Sequence, residues 1–218
     1  MNQFINLHAR KEDDTPYLAF QKRLLAIIAL LLVGCGIGWS IMFYAIHGIS
    51  IPFYAAVGFT INAILMIIIS HRTKKHLILV YSIFYAATIS PLIASWSMGD
   101  LHNSGLILAW AFLTPLGILI FTSLRSAIVS MVIFIACILV PVFFTPSFPG
   151  VQLEASENNI KLMYALNVVV SFSIAFATCA WFVHIIKKEK SVSDDLMQNI
   201  LPTAIIEEMK NTGKIKAK

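Results

Sequence analysis

Six apolar stretches of about twenty residues each dominate this chain, at roughly 24–46, 52–70, 77–97, 104–122, 126–145 and 161–186. A helix needs about 20 residues to cross a hydrocarbon core of about 30 Å, so each stretch is long enough to do so. None holds an Asp, Glu or Arg, and the one lysine, Lys161, sits at a margin. The connections are short apart from 146–160, which makes neighbouring helices antiparallel hairpins. The expected fold is therefore an all-α membrane protein with six transmembrane helices in an up-down bundle.

Charge supports that reading and orients it. Only 12% of the 218 residues are charged and the mean hydropathy is +0.81, whereas soluble domains carry about 25% charged residues. A pI near 9.2 could suggest nucleic acid, but the basic residues border the apolar runs, so no nucleic-acid partner is expected. With a cytoplasmic N-terminus, Arg10, Lys11, Lys22, Arg23, Arg72, Lys74, Lys75, Arg125 and the lysines after residue 186 all fall inside. Only Lys161 falls outside. This positive-inside bias places both termini in the cytoplasm of a multi-pass plasma-membrane protein. The organisation read from the sequence is a cytoplasmic segment 1–23, with Tyr17 to Arg23 approaching the interface, a membrane domain 24–186 and a cytoplasmic linker 187–218. No signal peptide is indicated.

Within the spans, Gly34-Cys35-Gly36-Ile37-Gly38 follows no strand and lies in an apolar run, so it lacks the context of a nucleotide loop. Gly34 and Gly38 instead form a small-xxx-small face for close helix approach. The partner is a helix of the same chain, the favoured reading, or one of a second copy. Pro91, Pro115 and Pro141 fall inside the third, fourth and fifth spans and are expected to kink them, freeing carbonyls that need partners. Cys35, Cys137 and Cys179 are odd in number and widely spaced, which fits packing residues better than disulfides or a zinc site.

Asn62 and Asn167 are the interior amides with most at stake, and packing glue through interhelical hydrogen bonds is favoured over ligand contact. Asp100, His102, Glu154 and Glu157 are outer-face candidates for a hard cation, but they lack ligand spacing and no metal site is assigned. His71 and His76 flank Arg72, Lys74 and Lys75, where headgroup contact is the expected role. His184 reads as interfacial. The absence of mid-span charge weighs against an ion or proton pathway.

After the last span, Val192, Leu196 and Ile200 are spaced by four, as are Ile205 and Met209. Two apolar stripes therefore lie along successive turns, with Pro202 between them. A proline lacks the amide hydrogen and restricts the residue before it, so a break near Leu201 with Pro202 starting a new first turn is expected. The run Asn199-Ile200-Leu201-Pro202, then Ile205-Ile206-Glu207-Glu208-Met209-Lys210, then Thr212-Gly213-Lys214-Ile215-Lys216, resembles the linker before the catalytic domain of membrane-bound class III adenylate cyclases. Trp110-Ala111-Phe112-Leu113-Thr114-Pro115-Leu116-Gly117 in the fourth span also resembles a pattern of six-helix cyclase anchors.

The resemblance implies a membrane anchor and receptor domain whose parent converts ATP to cyclic AMP and pyrophosphate with magnesium or manganese. It also implies a homodimer through the sixth helix and linker. Leu196, Asn199, Ile200, Leu201, Pro202, Ile205, Met209 and Gly213 would carry the signal. The chain stops where the catalytic domain would begin, so these residues are expected to hold no cofactor and to have no turnover. A ligand, if the domain is a receptor, is expected to be apolar or to enter from outside, because the spans offer few polar anchors. The sensor half of a histidine kinase is the alternative, although residues 187–218 contain no His to accept a phosphoryl group. A small transporter would require a charged intramembrane site.

Overall fold

The computed structural model describes residues 16–99, 101–143 and 155–200, and among them the only regular structure is helical. In chain order these are α1 (Pro16–His47), α2 (Ile51–Thr73), α3 (His76–Ser97), a 3-10 helix (Ile107–Phe112), α4 (Leu113–Phe121), α5 (Leu124–Phe143) and α6 (Glu157–Ile200). Among the described residues, four helical stretches are long and apolar enough to cross a membrane: Leu18–His47, Ile51–Thr73, His76–Ser97 and Glu157–Val192. Ile107–Phe121 and Leu124–Leu139 are shorter apolar helices.

The chain divides into two compact units, Met1–Ser173 and Ile174–Lys218. In the first, α3 is the hub and packs against α2, the 3-10 helix and α4, with lighter contact to α5 and α1. Its buried residues Val80, Ile83, Phe84, Ala87, Pro91, Ala94 and Ser95 recur at helical spacing along one broad stripe. Elsewhere large apolar side chains face outward, as Ile41 on α1 (66% exposed) and Val132 on α5 (61%) do. Such faces suit hydrocarbon surroundings, where lipid takes the place of a protein core. The described part of the second unit is residues 174–200 of α6, where Phe176, Val183, Ile186 and Val192 are exposed.

Helix ends follow local chemistry. Gly48, at φ +65, ends α1 in the left-handed conformation that glycine adopts without a Cβ penalty, and its N–H donates to the Tyr44 carbonyl (2.9 Å). Pro52 then sits in the first turn of α2, where its missing N–H costs nothing. Ser123 and Ser156 accept from the amides of Ser126 and Asn159 (3.3 Å each), capping α5 and α6.

Helix α1 begins at Pro16, so Tyr17 to Arg23, expected to approach the interface, are continuous with the first apolar stretch. Proline is preorganised for a first helical turn, and the straight side chains of Gln21, Lys22 and Arg23 favour helix. Two expectations need correcting. The fourth stretch is not one α-helix. The α geometry starts only at Leu113, so Pro115 falls in the first turn of α4, where it needs no N–H partner, and the chain before it is 3-10. At about 2.0 Å per 3-10 residue and 1.5 Å per α residue, the pair reaches about 25 Å.

The second correction concerns the glycines of α1. A Cβ at Gly34 or Gly38 would meet nothing within 4 Å, whereas one at Gly36 would lie 2.4 Å from Thr60 Oγ1 and 3.0 Å from the Phe59 ring. The close approach of α1 to α2 is therefore at Gly36. Two residues along a helix turn the face by about 200°, so Gly34 and Gly38 point away from that contact.

Candidate functional site

The most constrained polar site in the first unit joins α6 to the segment before α4. Asn167 is fully buried, and both ends of its amide are used. Its Oδ1 accepts from Trp110 Nε1–H (2.9 Å), and its Nδ2 donates to the Gly105 carbonyl (2.8 Å). The backbone of α6 comes close here because residue 105 is glycine. Gly105 sits at φ +56, and a Cβ would fall 2.5 Å from Met163 Cβ. The Ser171 hydroxyl donates to the Asn167 carbonyl one turn back. Such local bonds let hydroxyl side chains sit in apolar helices without an unmet donor.

A second polar cluster holds α4 on α3. Thr114 donates to the Phe84 carbonyl, and its hydroxyl oxygen lies 2.7 Å from that of Thr88. Gly117 lets α4 approach the Phe84 ring, since a Cβ there would lie 2.1 Å from Phe84 Cζ. Ser90 donates to the Ala55 carbonyl of α2 (2.9 Å), one residue before Pro91. Pro91 lies inside α3 and Pro141 near the end of α5.

Between these clusters lies a half-open cavity of about 40 Å³. It is lined by the rings of Trp39, Phe43, Phe59 and Trp110, the small residues Gly36 and Ala87, and Pro91. The Trp39 and Trp110 rings meet edge to face with centroids 6.1 Å apart, a favourable arrangement for two ring quadrupoles. Large rigid rings beside small residues leave space that no described side chain fills. Trp110 is therefore both a wall of this cavity and the hydrogen-bond partner of Asn167.

Asn62 is placed differently from Asn167. Its Oδ1 accepts from Ser82 Oγ of α3 (3.1 Å), while its buried Nδ2 has no partner among the described residues. Of the cation candidates, Asp100 and Glu154 lie outside the described residues. His102 packs against the Tyr164 ring with centroids 5.9 Å apart, and Glu157 pairs with Lys161 at 2.7 Å on the exposed start of α6. Among the described residues no three His, Cys, Asp or Glu side chains form a metal-binding group. His184 is exposed on α6.

Leu196, Asn199 and Ile200 lie on the helical backbone of α6. Leu201, Pro202, Ile205, Met209 and Gly213 lie outside the described residues, as does the expected break at Pro202. Asn167 stands out in the sequence as an amide in an apolar run and Trp110 opens the Trp-to-Pro pattern, whereas the close approaches at Gly36 and Gly105 have no comparable mark. Gly105 stands in His102-Asn103-Ser104-Gly105, a turn-forming run that was open to notice. Scans of this chain against protein-family models, curated proteins and solved structures return no match.

Proposed function

We propose that this chain is the membrane anchor and receptor domain of a class III adenylate cyclase. The reading rests on the linker resemblance at Asn199-Ile200-Leu201-Pro202 and beyond. The observation that carries it furthest is the length of α6, which runs unbroken for 44 residues from Glu157 to Ile200. Its apolar run gives way to Lys187, Lys188 and Lys190, yet the helix continues for about 20 Å more at 1.5 Å per residue. A helix that continues past these lysines to Asn199 and Ile200 is suited to pass a change of packing to an output domain.

In this account all six apolar stretches cross the plasma membrane, with both termini cytoplasmic. Two copies associate through α6 and the linker. Catalysis belongs to a domain that follows such a linker in that family, where magnesium or manganese would assist conversion of ATP to cyclic AMP and pyrophosphate. The residues of this chain hold no part of that site and turn nothing over. A ligand that favours one of two packings of α6 would shift the catalytic equilibrium by its differential affinity for them.

The test is a fusion of residues 1–218 to a class III catalytic domain, expressed in membranes of a cyclase-deficient host. Cyclic AMP formation comparable to that from the same domain on an established six-helix cyclase anchor is expected. A well-inserted fusion that forms none, beside an active control, would overturn the proposal.

A further inference from the structure

We propose that the end of the first unit where α2 turns into α3 is a docking surface for an anionic phospholipid, its headgroup on Arg72, Lys74 and Lys75 and its chains along the apolar side chains beside them. The surface stands whether or not the chain serves a cyclase. Arg72, Thr73, Lys74 and Lys75 are all exposed. Two more exposed cations, Arg23 and Arg125, share that end. Gly36 of α1 faces Thr60 of α2, and Tyr44 meets Phe53, so the two helices run antiparallel and Arg23 comes level with Thr73. The Gln21 side chain donates to the Ile120 carbonyl (2.9 Å), just before the turn that leads to Arg125.

Charge and hydrocarbon together select the occupant. Among the described residues of this unit the one acidic side chain is Glu157, which pairs with Lys161. It lies at the other end of α3, because Tyr164 of the same helix meets His102 there. The cations at the α2–α3 end therefore face no acid among the described residues, and they attract an anion. Ile68, Ile69, Leu77 and Ile78 are exposed within a turn of them. A free inorganic anion would leave that apolar rim bare, and an acidic peptide would bring charge without chains. An anionic phospholipid meets both needs.

Lys74 adds an independent observation. It caps the C-terminus of α2 at φ +58, a left-handed position that glycine or asparagine takes at less cost. A cation near a helix C-terminus suits the dipole, but His71 and Arg72 already stand in the last turn. A lysine placed where its backbone is disfavoured points to a use for its charge outside the helix.

The test is native mass spectrometry of the whole chain, released from micelles that hold phosphatidylglycerol and phosphatidylcholine in equal amounts. Phosphatidylglycerol is expected to stay bound about tenfold more often than phosphatidylcholine. Lys74→Gly fits the backbone better, so it should keep or raise thermal stability while weakening that retention about fivefold, the effect of one cation at a lipid surface. Arg72→Gln combined with Lys75→Gln should weaken it further, and Lys161→Gln, at the other end, should leave it unchanged. Equal retention of the two lipids, or full retention in both folded variants, overturns the surface. So does displacement of phosphatidylglycerol by inorganic phosphate, which would make it a site for a free anion. A severalfold gain in retention when Glu12, Asp13 and Asp14 are replaced by their amides would make that acidic segment the occupant and overturn the lipid assignment.

Discussion

Trp110 and Asn167, separated by 57 residues, are joined by a buried 2.9 Å hydrogen bond from Nε1 to Oδ1. It ties α6 to the segment that contributes Trp110 to the lining of the cavity. Asn167→Ala leaves the indole N–H and the Gly105 carbonyl unmet, and Trp110→Phe removes the donor while keeping a ring. Each should lower stability by about 1–2 kcal/mol, with a coupling of about 0.5–1.5 kcal/mol in the double-mutant cycle. Unfolding in mixed micelles with increasing dodecyl sulfate measures both. Additive single effects would mean the bond contributes nothing.

Asn62 should behave otherwise. Its Nδ2 is already unmet, and Ser82, its other partner, can turn its hydroxyl to its own helix. Asn62→Leu is therefore expected to change stability by less than about 0.5 kcal/mol or to raise it. A loss as large as that of Asn167→Ala in the same assay would place an unseen partner at Nδ2.

The glycines separate into two groups. Alanine at Gly36, Gly105 or Gly117 drives a Cβ into Thr60, Met163 or Phe84, which should cost about 1–3 kcal/mol. At Gly105 a positive φ adds strain. Alanine at Gly34 or Gly38 meets open space in this chain and should be neutral or slightly stabilising. A loss at Gly34 that grows on dilution would instead reveal a second copy packed on that face.

Orientation is checked with single cysteines after Cys35, Cys137 and Cys179 are replaced by serine or alanine. Thr73→Cys should resist an impermeant maleimide in intact cells and react after lysis, while Ser156→Cys should react in both. The reverse pattern would invert the topology.

The helical fold was legible because uninterrupted apolar runs have one structural outcome in lipid, and α2 and α3 lie close to the stretches marked in the sequence. The fourth stretch was harder. Hydropathy records that 104–122 is apolar, but not that Pro115 would be accommodated by beginning an α-helix at Leu113 after a 3-10 segment. The contact of Gly36 with Thr60 and Phe59 depends on which face of α1 turns to α2. A run with glycines at 34, 36 and 38 offers both faces, so spacing alone did not single out Gly36 as the contact within the chain. Asn167 stood out as an amide in an apolar run, but its partners lie 57 and 62 residues away, and no local pattern encodes them.

The central claim is that this chain passes its membrane state to a catalytic dimer through the linker, and Pro202 is where that claim is most exposed. In the fusion with a class III catalytic domain, cyclic AMP output is measured at matched protein level for Pro202→Ala, Asn199→Ala and the control Lys216→Ala. The account predicts a severalfold change in basal or regulated output for Pro202→Ala, a smaller one for Asn199→Ala and little for Lys216→Ala, with insertion preserved in all three. Unchanged output in both Pro202→Ala and Asn199→Ala would contradict it and leave the linker as a tether.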